Sequence, residues 1–504
     1  MPSVTPGLLL AVVAAYFAVL LAISYATAGR ADGEAFFRGG KSSPWYLVAW
    51  GMIGASLSGV TFVSIPGVVG AGGLNQQLSY MQVVLGYLLG YAAIAGVLLP
   101  LYYRMGLTSI YGYLDARFGG SSYKTGAAFF QVSRIVGASF RLYLVAIVLD
   151  GFVLGPLGVP IWATVAVTLA LIYLYTYRGG IQTVVYTDTL QTAAMLLAVG
   201  VALWYITGTL GGGLADLPRL VADSGMSKAF FFGGGWGDAN NFWKQFFGGA
   251  LITIVMTGLD QDMMQKNLTC RSLGDAQKNM ATLAVLLVPI NLLFLALGIL
   301  LYGYLAAEGI AVPGRADQVF PTVALRHLPP VAGVAFIVGL IAAAYSSADS
   351  ALTSLTTSFC VDFLGMDRAG EATGDPAVEA ARRRTRSRVH VGFAVVLFAV
   401  ILGFYLVNDD SVINSLFRVA QYTYGPLLGL FAFGLSSKRR VRDRWVPLVC
   451  VAAPVLTYLI DANSDVLLGG FAFGFLLLAL NGGLTYAGLW VVSGRQLDGG
   501  SRVM

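Results

Sequence analysis

Charged side chains are scarce in this sequence. Aspartate, glutamate, lysine and arginine make up 11% of its 504 residues, whereas 57% of the residues are hydrophobic. Because soluble globular proteins average about 25% charged residues, this composition excludes a soluble protein of this length and predicts a membrane protein. The net charge of +6 is then assigned to basic loops and not to a surface for nucleic acid.

Cysteine and histidine are also rare. Cys270, Cys360 and Cys450 lie far apart and belong to no paired motif, and the sequence has two histidines. This scarcity excludes a disulfide framework and a Cys/His metal cluster. The segment RGGKSS at 38–43 has Ala35 where a phosphate-binding loop requires its first glycine, and it follows an apolar run instead of a strand. We therefore predict no enzymatic activity and no organic cofactor.

Long apolar runs recur along the whole chain, and about 20 such residues suffice to cross a bilayer as a helix. The sequence predicts an all-α polytopic membrane protein that forms one transmembrane domain over 1–504. Thirteen spans are predicted, at 6–28, 44–71, 78–103, 123–153, 157–177, 181–208, 244–268, 276–306, 331–362, 388–408, 412–435, 445–461 and 465–493.

Basic residues divide unequally between the two sides of the predicted membrane. With the N-terminus outside, the inner loops hold the clusters at 381–388 and 438–444 and also Lys266 and Arg271. The outer loops then hold five basic residues, which are Arg219, Lys228, Lys244, Arg315 and Arg326. Because cytoplasmic loops are rich in lysine and arginine, we predict an outside N-terminus and a cytoplasmic C-terminus in a bacterial-type cytoplasmic membrane.

Two predicted spans are poor continuous helices. GMIGASLSGVTFVSIPG, at 51–67, combines glycines, hydroxyl groups and a proline, and the span 244–268 is interrupted at Thr257-Gly258. Interrupted spans at matching places in two halves are typical of transporters built from inverted repeats. The predicted parts are an extra N-terminal helix at 6–28, repeats at 44–208 and 244–435, and two peripheral C-terminal helices at 445–493.

Charged and hydroxyl side chains lie inside several predicted spans. A charge near the bilayer centre costs about 2.5–3.5 kcal/mol, so each one needs a partner or a function. The charged candidates are Arg134, Arg141, Asp188, Asp260, Asp262, Asp349 and Arg418. The ninth span carries AAAYSSADSALTSLTTS at 342–358, with hydroxyls along one helical face. One interpretation is internal ion pairs and hydrogen bonds between helices; the other is a set of oxygen ligands for a hard cation.

Four segments together resemble the sodium:solute symporter family, which has the LeuT-type fold. The segments are GASLSG with the following PG at 54–67, GGIQTVVYTDTLQ at 179–191, GLDQDMMQKNLTCRSLGDAQKN at 258–279 and AAAYSSADSALTS at 342–354. Their order and spacing extend the resemblance over 6–493, and the sialic-acid, monocarboxylate and sugar symporters are nearest by motif. The resemblance implies five-plus-five inverted repeats and sodium-coupled symport by alternating access.

The resemblance also implies the sodium ligands. The main site would take the backbone carbonyls of Gly54, Leu57 and Ala343 and the hydroxyls of Ser346 and Ser347. A second sodium would be held by Asp188, Ser346, Asp349 and Ser350. Two close carboxylates can instead share a proton, so the resemblance leaves one or two sodium ions per cycle open.

The solute site implied by the resemblance lies between the two broken spans. Its residues are Ser56, Ser58, Thr61, Gln82, Arg134, Asp260 and Gln261. Arg134 lies near the position of a carboxylate-binding arginine in sialic-acid transporters, and Arg141, two helical turns later, is an alternative partner. Because guanidinium pairs with carboxylate through two hydrogen bonds, we favour a solute of the sialic-acid or monocarboxylate type, with a sugar or polyol as the alternative.

An ion channel is the distant alternative. A channel is expected to line its pore with rings of residues, whereas this chain breaks helices in two different halves. We predict a monomer whose partners are a small-molecule solute, sodium and membrane lipid, and no nucleic acid.

Overall fold

A computed structural model describes residues 5–27, 43–366, 376–407 and 412–494, so that most of the segment RGGKSS lies outside the described residues. Within them the chain is mainly helical, as the apolar runs predict. The eighteen α-helices are α1 (Pro6–Thr27), α2 (Trp45–Val68), α3 (Tyr80–Ala93), α4 (Leu99–Met105), α5 (Gly112–Arg117), α6 (Gly120–Leu149), α7 (Ile161–Thr209), α8 (Leu217–Asp223), α9 (Phe242–Thr253), α10 (Gln261–Leu268), α11 (Leu273–Ala307), α12 (Val319–Thr322), α13 (Pro330–Ser358), α14 (Pro376–Val407), α15 (Val412–Ser436), α16 (Val446–Ala462), α17 (Ser464–Leu468) and α18 (Leu477–Val491).

Shorter elements extend or connect these helices. π-helical segments follow α3 (Ile94–Leu98), α6 (Asp150–Leu154), α9 (Ile254–Gly258), α12 (Val323–His327) and α13 (Phe359–Phe363). Single 3-10 turns lie at Gly155–Leu157, Leu214–Asp216, Gly235–Gly237, Ala316–Gln318, Asp443–Trp445 and Gly474–Leu476. Strand β1 (Arg440–Val441) pairs antiparallel with β2 (Ser493–Gly494) and joins the start of the C-terminal helices to their end.

The length and hydropathy of the helices define the candidate membrane spans. In the described residues, ten helices are long and apolar enough to cross a bilayer, and one bent pair raises the number to eleven. The predicted number of thirteen is therefore not confirmed. The predicted span 157–177 corresponds to a short apolar helix, Ile161–Thr176. The predicted span 412–435 is α15, whose apolar run is interrupted by Arg418 and Gln421.

The helix α7 contains both the fifth and the sixth predicted spans. At about 1.5 Å per residue, its 49 residues would extend roughly 74 Å, more than twice the thickness of a bilayer core. Its contacts with α13 show that it turns back. The contacting pairs are Thr168 with Tyr345, Tyr175 with Asp349, Asp188 with Ser346, and Ala198 with Gly339. The first half thus runs parallel to α13 and the second half antiparallel.

The helix α2 is broken in the middle. Ser58 has φ 44° and ψ 173°, which lie outside the helical region, and the helix resumes beyond it. The break falls in the glycine- and hydroxyl-rich segment, so the predicted interruption is confirmed. Because a break interrupts the hydrogen bonds between each N–H and the carbonyl four residues earlier, carbonyls of the preceding turn are left for other partners.

The second predicted interruption is also confirmed. The segment that ends at Gly258 and the helix α10 meet at an angle of 64°. Asp260 occupies the N-cap of α10, where its carboxylate accepts hydrogen bonds from the N–H groups of Asp262 and Met263. An aspartate in this position satisfies amides that the helix leaves free, so Asp260 helps to begin α10.

The helix α13 lies at the centre of the protein. In its most apolar stretch 78% of the residues are buried, against 22% in α1 and in the segment that contains α16. It packs against α2, α6 and α7, and every residue from Gly339 to Ser358 is buried. The hydroxyl-rich face of α13 therefore meets protein groups instead of lipid, and each of its oxygens needs a partner there.

The helices α3 and α9 pack closely against each other, and a glycine at their contact allows this packing to be tested. A Cβ atom at Gly86 would lie 2.0 Å from the carbonyl oxygen of Phe246, whereas a Cβ atom at Gly200 in α7 meets nothing within 4 Å. We expect Gly86→Ala to push the helices apart and to cost about 1–3 kcal/mol. The matched control Gly200→Ala is expected to be neutral or slightly stabilising because alanine favours helix. The measurement is the unfolding temperature of the purified protein, and equal temperatures for the two variants would contradict the packing.

Candidate functional site

A cavity lies beside the break in α2. Its empty volume, which includes open solvent, is about 740 Å³. Hydroxyl groups, tyrosine rings and two arginines share the lining with apolar side chains. The polar and aromatic lining residues are Ser56, Ser58, Thr61, Tyr80, Tyr87, Tyr91, Arg134, Arg141, Thr253, Thr257, Asn291 and Phe417.

Four of the seven predicted solute residues line this cavity. Ser58 is the residue at which α2 breaks, Ser56 precedes it by two positions and Thr61 follows by three, and Arg134 comes from α6. The break therefore lets hydroxyls on both of its sides face one cavity. Sequence reasoning did not anticipate Tyr91, whose hydroxyl lies beside that of Ser56.

Gln82 and Gln261, by contrast, are not brought to the cavity. Both ends of the Gln82 amide are hydrogen-bonded, with its nitrogen 2.7 Å from Gln245 Oε1 and its oxygen 2.9 Å from the Phe231 N–H nitrogen. Both ends of the Gln261 amide bind backbone groups at 108–110. These side chains hold neighbouring segments together, and neither appears among the residues that line the cavity.

Arg134 is paired with acidic groups at the start of α10. Its guanidinium forms an ion pair with Asp262, and its Nη1 atom lies 3.9 Å from Asp260 Oδ2. Asp260 also accepts a hydrogen bond from the Tyr424 hydroxyl, and Asp262 accepts one from the Ser350 hydroxyl. The ion-pair interpretation of Asp262 is thus confirmed. The charge of Arg134 is already balanced, and Asp260 serves this pair instead of lining the cavity.

The charge of Arg141 is not balanced by an acidic group of the described chain. It lies seven residues after Arg134 on α6, lines the same cavity and is 7% exposed. Its Nε and Nη1 atoms are buried without a hydrogen-bond partner, and no acidic group of the described chain forms an ion pair with it. An unpaired buried charge costs several kcal/mol, so an anion that enters the cavity would relieve this cost.

The predicted main sodium ligands come from α2 and α13. Gly54 and Leu57 lie in the turn of α2 that ends at the break. Ala343, Ser346 and Ser347 lie on consecutive turns of α13 and are all buried. A Cβ atom at Gly54 would lie 3.3 Å from Ser346 Oγ, so the two helices meet where both carry the predicted ligands.

The oxygen atoms there fit a small hard cation. Ser347 Oγ is buried and has no hydrogen-bond partner in the described part of the chain. Ser346 Oγ donates its proton to Asp188 at 2.6 Å, which leaves its lone pairs for a cation. Hydroxyl and carbonyl oxygens are the ligands that hard cations take. A sodium ion would give the orphaned Ser347 oxygen a partner.

The predicted second sodium set is differently arranged. Asp188 pairs with the ammonium of Lys266, whose Nζ lies 2.7 Å from Asp188 Oδ2, and both side chains are buried. Asp349 accepts a hydrogen bond from the Tyr175 hydroxyl at 2.9 Å, while the Ser350 hydroxyl binds a carboxylate of α10. Of the four predicted members, Asp188 and Ser346 are hydrogen-bonded to each other. Asp349 accepts the N–H of Ser350, while its other oxygen and the Ser350 hydroxyl bind other groups.

Two basic residues that the sequence analysis counts in loops are buried in helices. Lys244, counted with the outer loops, lies in α9 and is 0% exposed, and Lys266 lies in α10. The prediction that Lys266 lies in an inner loop is wrong, because its side chain is inside the protein and only 1% exposed. The signal in the sequence was its spacing from Asp262. Residues four apart lie on one face of a helix, so Lys266 follows Asp262 on the face of α10 that also pairs with Arg134.

Comparison with known proteins gives one family. The family model of the sodium:solute symporter family matches residues 36–442. The human sodium/iodide cotransporter is 25% identical over 429 residues, which cover 82% of this chain and 62% of that protein. The sodium/sialic acid symporter of Proteus mirabilis is 25% identical over 454 residues, 85% of this chain and 84% of that protein. Human sodium-coupled monocarboxylate transporter 1 is 25% identical over 426 residues, 82% of this chain and 66% of that protein.

The human relatives are longer, and this chain spans about two thirds or less of their length.

Solved structures show the same fold. A sodium-coupled sialic acid symporter in a substrate-bound outward-open state has a TM-score of 0.79 at 20% identity, with 96% of this chain and 97% of that chain covered. A nucleobase-cation-symport-1 family transporter has a TM-score of 0.54 at 15% identity, with coverage of 91% and 94%.

The predicted LeuT-type fold is therefore confirmed, and the relatives are transporters, as the sequence predicts. The broken helices, the unpartnered Ser347 oxygen and the family match are all features expected of a sodium-coupled transporter. The chain belongs to the sodium:solute symporter family and is a multi-pass membrane transporter that couples the movement of a small solute to sodium.

Proposed function

We propose that this protein imports a small organic solute that bears a carboxylate, together with sodium. The solute binds in the cavity beside the break in α2, and its carboxylate pairs with Arg141. Ser56, Ser58 and Thr61 bind the polar remainder of the solute. The protein works as a monomer in a bacterial-type cytoplasmic membrane, with its N-terminus outside and its C-terminus in the cytoplasm.

One observation carries the carboxylate assignment: Arg141 Nε and Nη1 are buried and have no hydrogen-bond partner among the described residues. Arg134 is neutralised by Asp262 and Asp260, whereas Arg141 presents unpartnered nitrogen atoms at the cavity. A planar guanidinium recognises a carboxylate through two parallel hydrogen bonds. A neutral sugar would leave the Arg141 charge buried and unpaired.

The named solutes of the relatives support an anionic solute. Sialic acid, monocarboxylates and iodide are carried by three of the proteins that this chain resembles, and each of these solutes is an anion. Tyr80, Tyr87 and Tyr91 add aromatic and hydroxyl surface around the part of the solute that carries no charge.

Sodium binds to the carbonyls of Gly54, Leu57 and Ala343 and to the hydroxyls of Ser346 and Ser347. The same broken segment of α2 therefore contributes carbonyls to the ion and hydroxyls to the solute. Binding of either one fixes the geometry of the break and favours binding of the other, because each ligand shifts the conformational balance by its differential affinity for the two states.

Transport follows from the motion of two groups of helices about this site. The inverted repeats at 44–208 and 244–435 supply one broken helix each, and helices outside the broken pairs form the scaffold. The ion pair of Arg134 with α10 joins α6 to the second broken span, and it is a contact that rocking of the two groups would strain. Release of sodium into the cytoplasm is driven by its gradient.

A sugar or polyol is the second candidate, because hydroxyl groups make up much of the polar cavity lining. Both candidates share the sodium site. They differ in whether the solute needs Arg141.

Uptake into proteoliposomes separates the two candidates. The protein is reconstituted with a sodium or a potassium gradient, and uptake of N-acetylneuraminic acid, pyruvate, glucose and mannitol is measured. We expect uptake of an acid that requires sodium. Arg141→Gln is expected to raise the KM for that acid about 30-fold or more, since loss of a buried charge partner costs about 2–5 kcal/mol. Arg141→Lys, which keeps the charge, is expected to lose less. Uptake of a neutral sugar that is insensitive to Arg141→Gln would contradict the carboxylate assignment.

Two serines on α13 test the sodium site. Ser347→Ala removes the orphaned oxygen, so we expect the sodium concentration for half-maximal uptake to rise about tenfold, which corresponds to about 1.4 kcal/mol. The matched control is Ser354→Ala, because the Ser354 hydroxyl is equally buried but donates to the carbonyl of Ala351 in its own helix. We expect the control to change the sodium requirement less than twofold. Equal effects of both variants would mean that Ser347 is structural.

A further inference from the structure

A basic segment connects the helices α15 and α16. It consists of residues 438–444, KRRVRDR, and contains strand β1, which pairs with β2 after the end of α18. Exposure alternates along the segment, and every exposed position carries a basic side chain. These positions are Lys438, Arg440, Arg442 and Arg444, and the residues between them are partly buried. Because successive side chains of extended backbone point to opposite sides, one side of the segment presents cations and the other side faces the protein.

The partly buried side chains fix the basic segment to the protein. The Arg439 guanidinium lies over the ring of Trp490 in α18, 4.4 Å from the ring centroid, and its Nη1 atom is 3.3 Å from Ser493 Oγ. Val441 packs against the hydrophobic core. The Arg117 side chain of α5 donates a hydrogen bond to the Arg439 carbonyl at 3.2 Å. These contacts hold the backbone in place, so the exposed side chains project from a fixed support.

The exposed cations form no ion pair with an acidic side chain of the described residues. The acidic residue within the segment is Asp443, whose carboxylate accepts hydrogen bonds from the N–H groups of Ser121 and Ser122 at 2.8 and 2.7 Å. These amides belong to the first turn of α6, which has no internal partners for them, so Asp443 is engaged there. The ion pairs in the described part of the chain include none with Lys438, Arg440, Arg442 or Arg444. Four unpaired positive charges thus remain at the surface.

Tryptophan residues next to the basic segment indicate its depth. Trp445 follows it directly, Trp490 packs against it, and both are exposed. They lie in the candidate membrane spans Asp443–Ala462 and Gly474–Val491, and tryptophan is enriched where lipid headgroups meet the hydrocarbon core. The exposed cations are therefore at the depth of the headgroups, and the proposed orientation of the chain assigns them to the cytoplasmic leaflet.

We propose that the basic segment binds anionic phospholipid, with its four exposed cations paired to headgroup phosphates of the cytoplasmic leaflet. Basic segments next to membrane spans are attracted to anionic lipid, and here the attraction acts on a fixed array of charges. A membrane offers several phosphates to this array at once, which favours lipid over a single soluble phosphate through multivalency. The inference takes the orientation of the chain from the proposed function and is independent of the solute and sodium sites.

Lipid bound at the basic segment is expected to stabilise the protein. The segment connects α15 to α16, and its side chains bind α6 through Asp443 and α18 through Arg439. A ligand that binds the folded state alone raises its stability by mass action. Anionic lipid should therefore raise the unfolding temperature of the purified protein.

A lipid titration tests this inference. The delipidated full chain in neutral detergent is titrated at low salt with phosphatidylglycerol or with phosphatidylcholine, and the unfolding temperature is measured. We expect a saturable rise with phosphatidylglycerol that high salt weakens, and no such rise with phosphatidylcholine, whose headgroup has no net charge. Arg440→Gln/Arg442→Gln removes two exposed cations and keeps the anchoring side chains. This variant is expected to need about tenfold or more phosphatidylglycerol for the half-maximal rise, since each basic residue near an anionic surface strengthens binding about fivefold.

Further variants separate the array from net charge and from a folding defect. Arg383→Gln/Arg384→Gln removes two exposed arginines from the basic run at the start of α14, which changes the net charge equally, and is expected to raise the half-maximal lipid concentration less than about threefold. Arg440→Lys/Arg442→Lys keeps both charges and is expected to respond like the native chain. If Arg440→Gln/Arg442→Gln does not fold, Arg444→Gln, which lies outside β1, replaces it with an expected increase of about fivefold.

Three results would overturn the inference. Equal weakening by the glutamine variants of the basic segment and of α14 would reduce the effect to net charge. An equal response of the native chain to phosphatidylcholine would remove the requirement for an anionic headgroup. The same response to glycerol phosphate at equal concentration would assign the segment to a soluble anion instead of lipid. Each of these results leaves the proposed symport intact, because sodium-dependent uptake tests that separately.

Discussion

The break of α2 at Ser58 is the feature on which the rest of the structure depends. A helix satisfies its own backbone groups, and a membrane offers no water to replace a lost hydrogen bond. Non-helical backbone at this depth must therefore be buried in protein or face a cavity. Here it does both, because α2 packs against α13 and its residues around the break line the cavity. The freed carbonyls are suited to a cation and the adjoining hydroxyls to a solute, which gives the two ligands a shared element.

Buried charge imposes the second constraint. The carboxylates at 260 and 262 are matched by Arg134, and Asp188 is matched by Lys266. These pairs join α6 and α7 to α10, the second half of the other broken span. Ser346 and Ser350 extend both pairs to α13. Arg141 is not part of this network. Its unbalanced positive charge lies at the cavity wall, where the proposed anionic solute would neutralise it.

The sequence allowed the broken helices, the buried hydroxyl face and the family to be predicted, because each depends on local patterns of residue type. Glycine and hydroxyl residues around Ser58 predict the break, and the spacing of serines on α13 predicts a polar face. The partners of individual side chains depend on tertiary packing and were harder to predict. Gln82 and Gln261 look like solute ligands in the sequence, but their amides satisfy neighbouring backbone and side-chain groups. In the sequence Lys266 resembles a loop charge. In the structure the bend before α10 places it beside Asp188.

Reciprocal linkage between sodium and solute tests the central claim most directly. If both ligands order the same break, sodium raises the affinity for solute by a factor well above one, and solute raises the affinity for sodium by the same factor because linkage is reciprocal. Two calorimetric titrations on the native protein measure these factors, one with solute at several sodium concentrations and one with sodium at several solute concentrations. The account predicts equal factors well above one. A solute affinity that is the same in sodium and in potassium would contradict the shared role of the break.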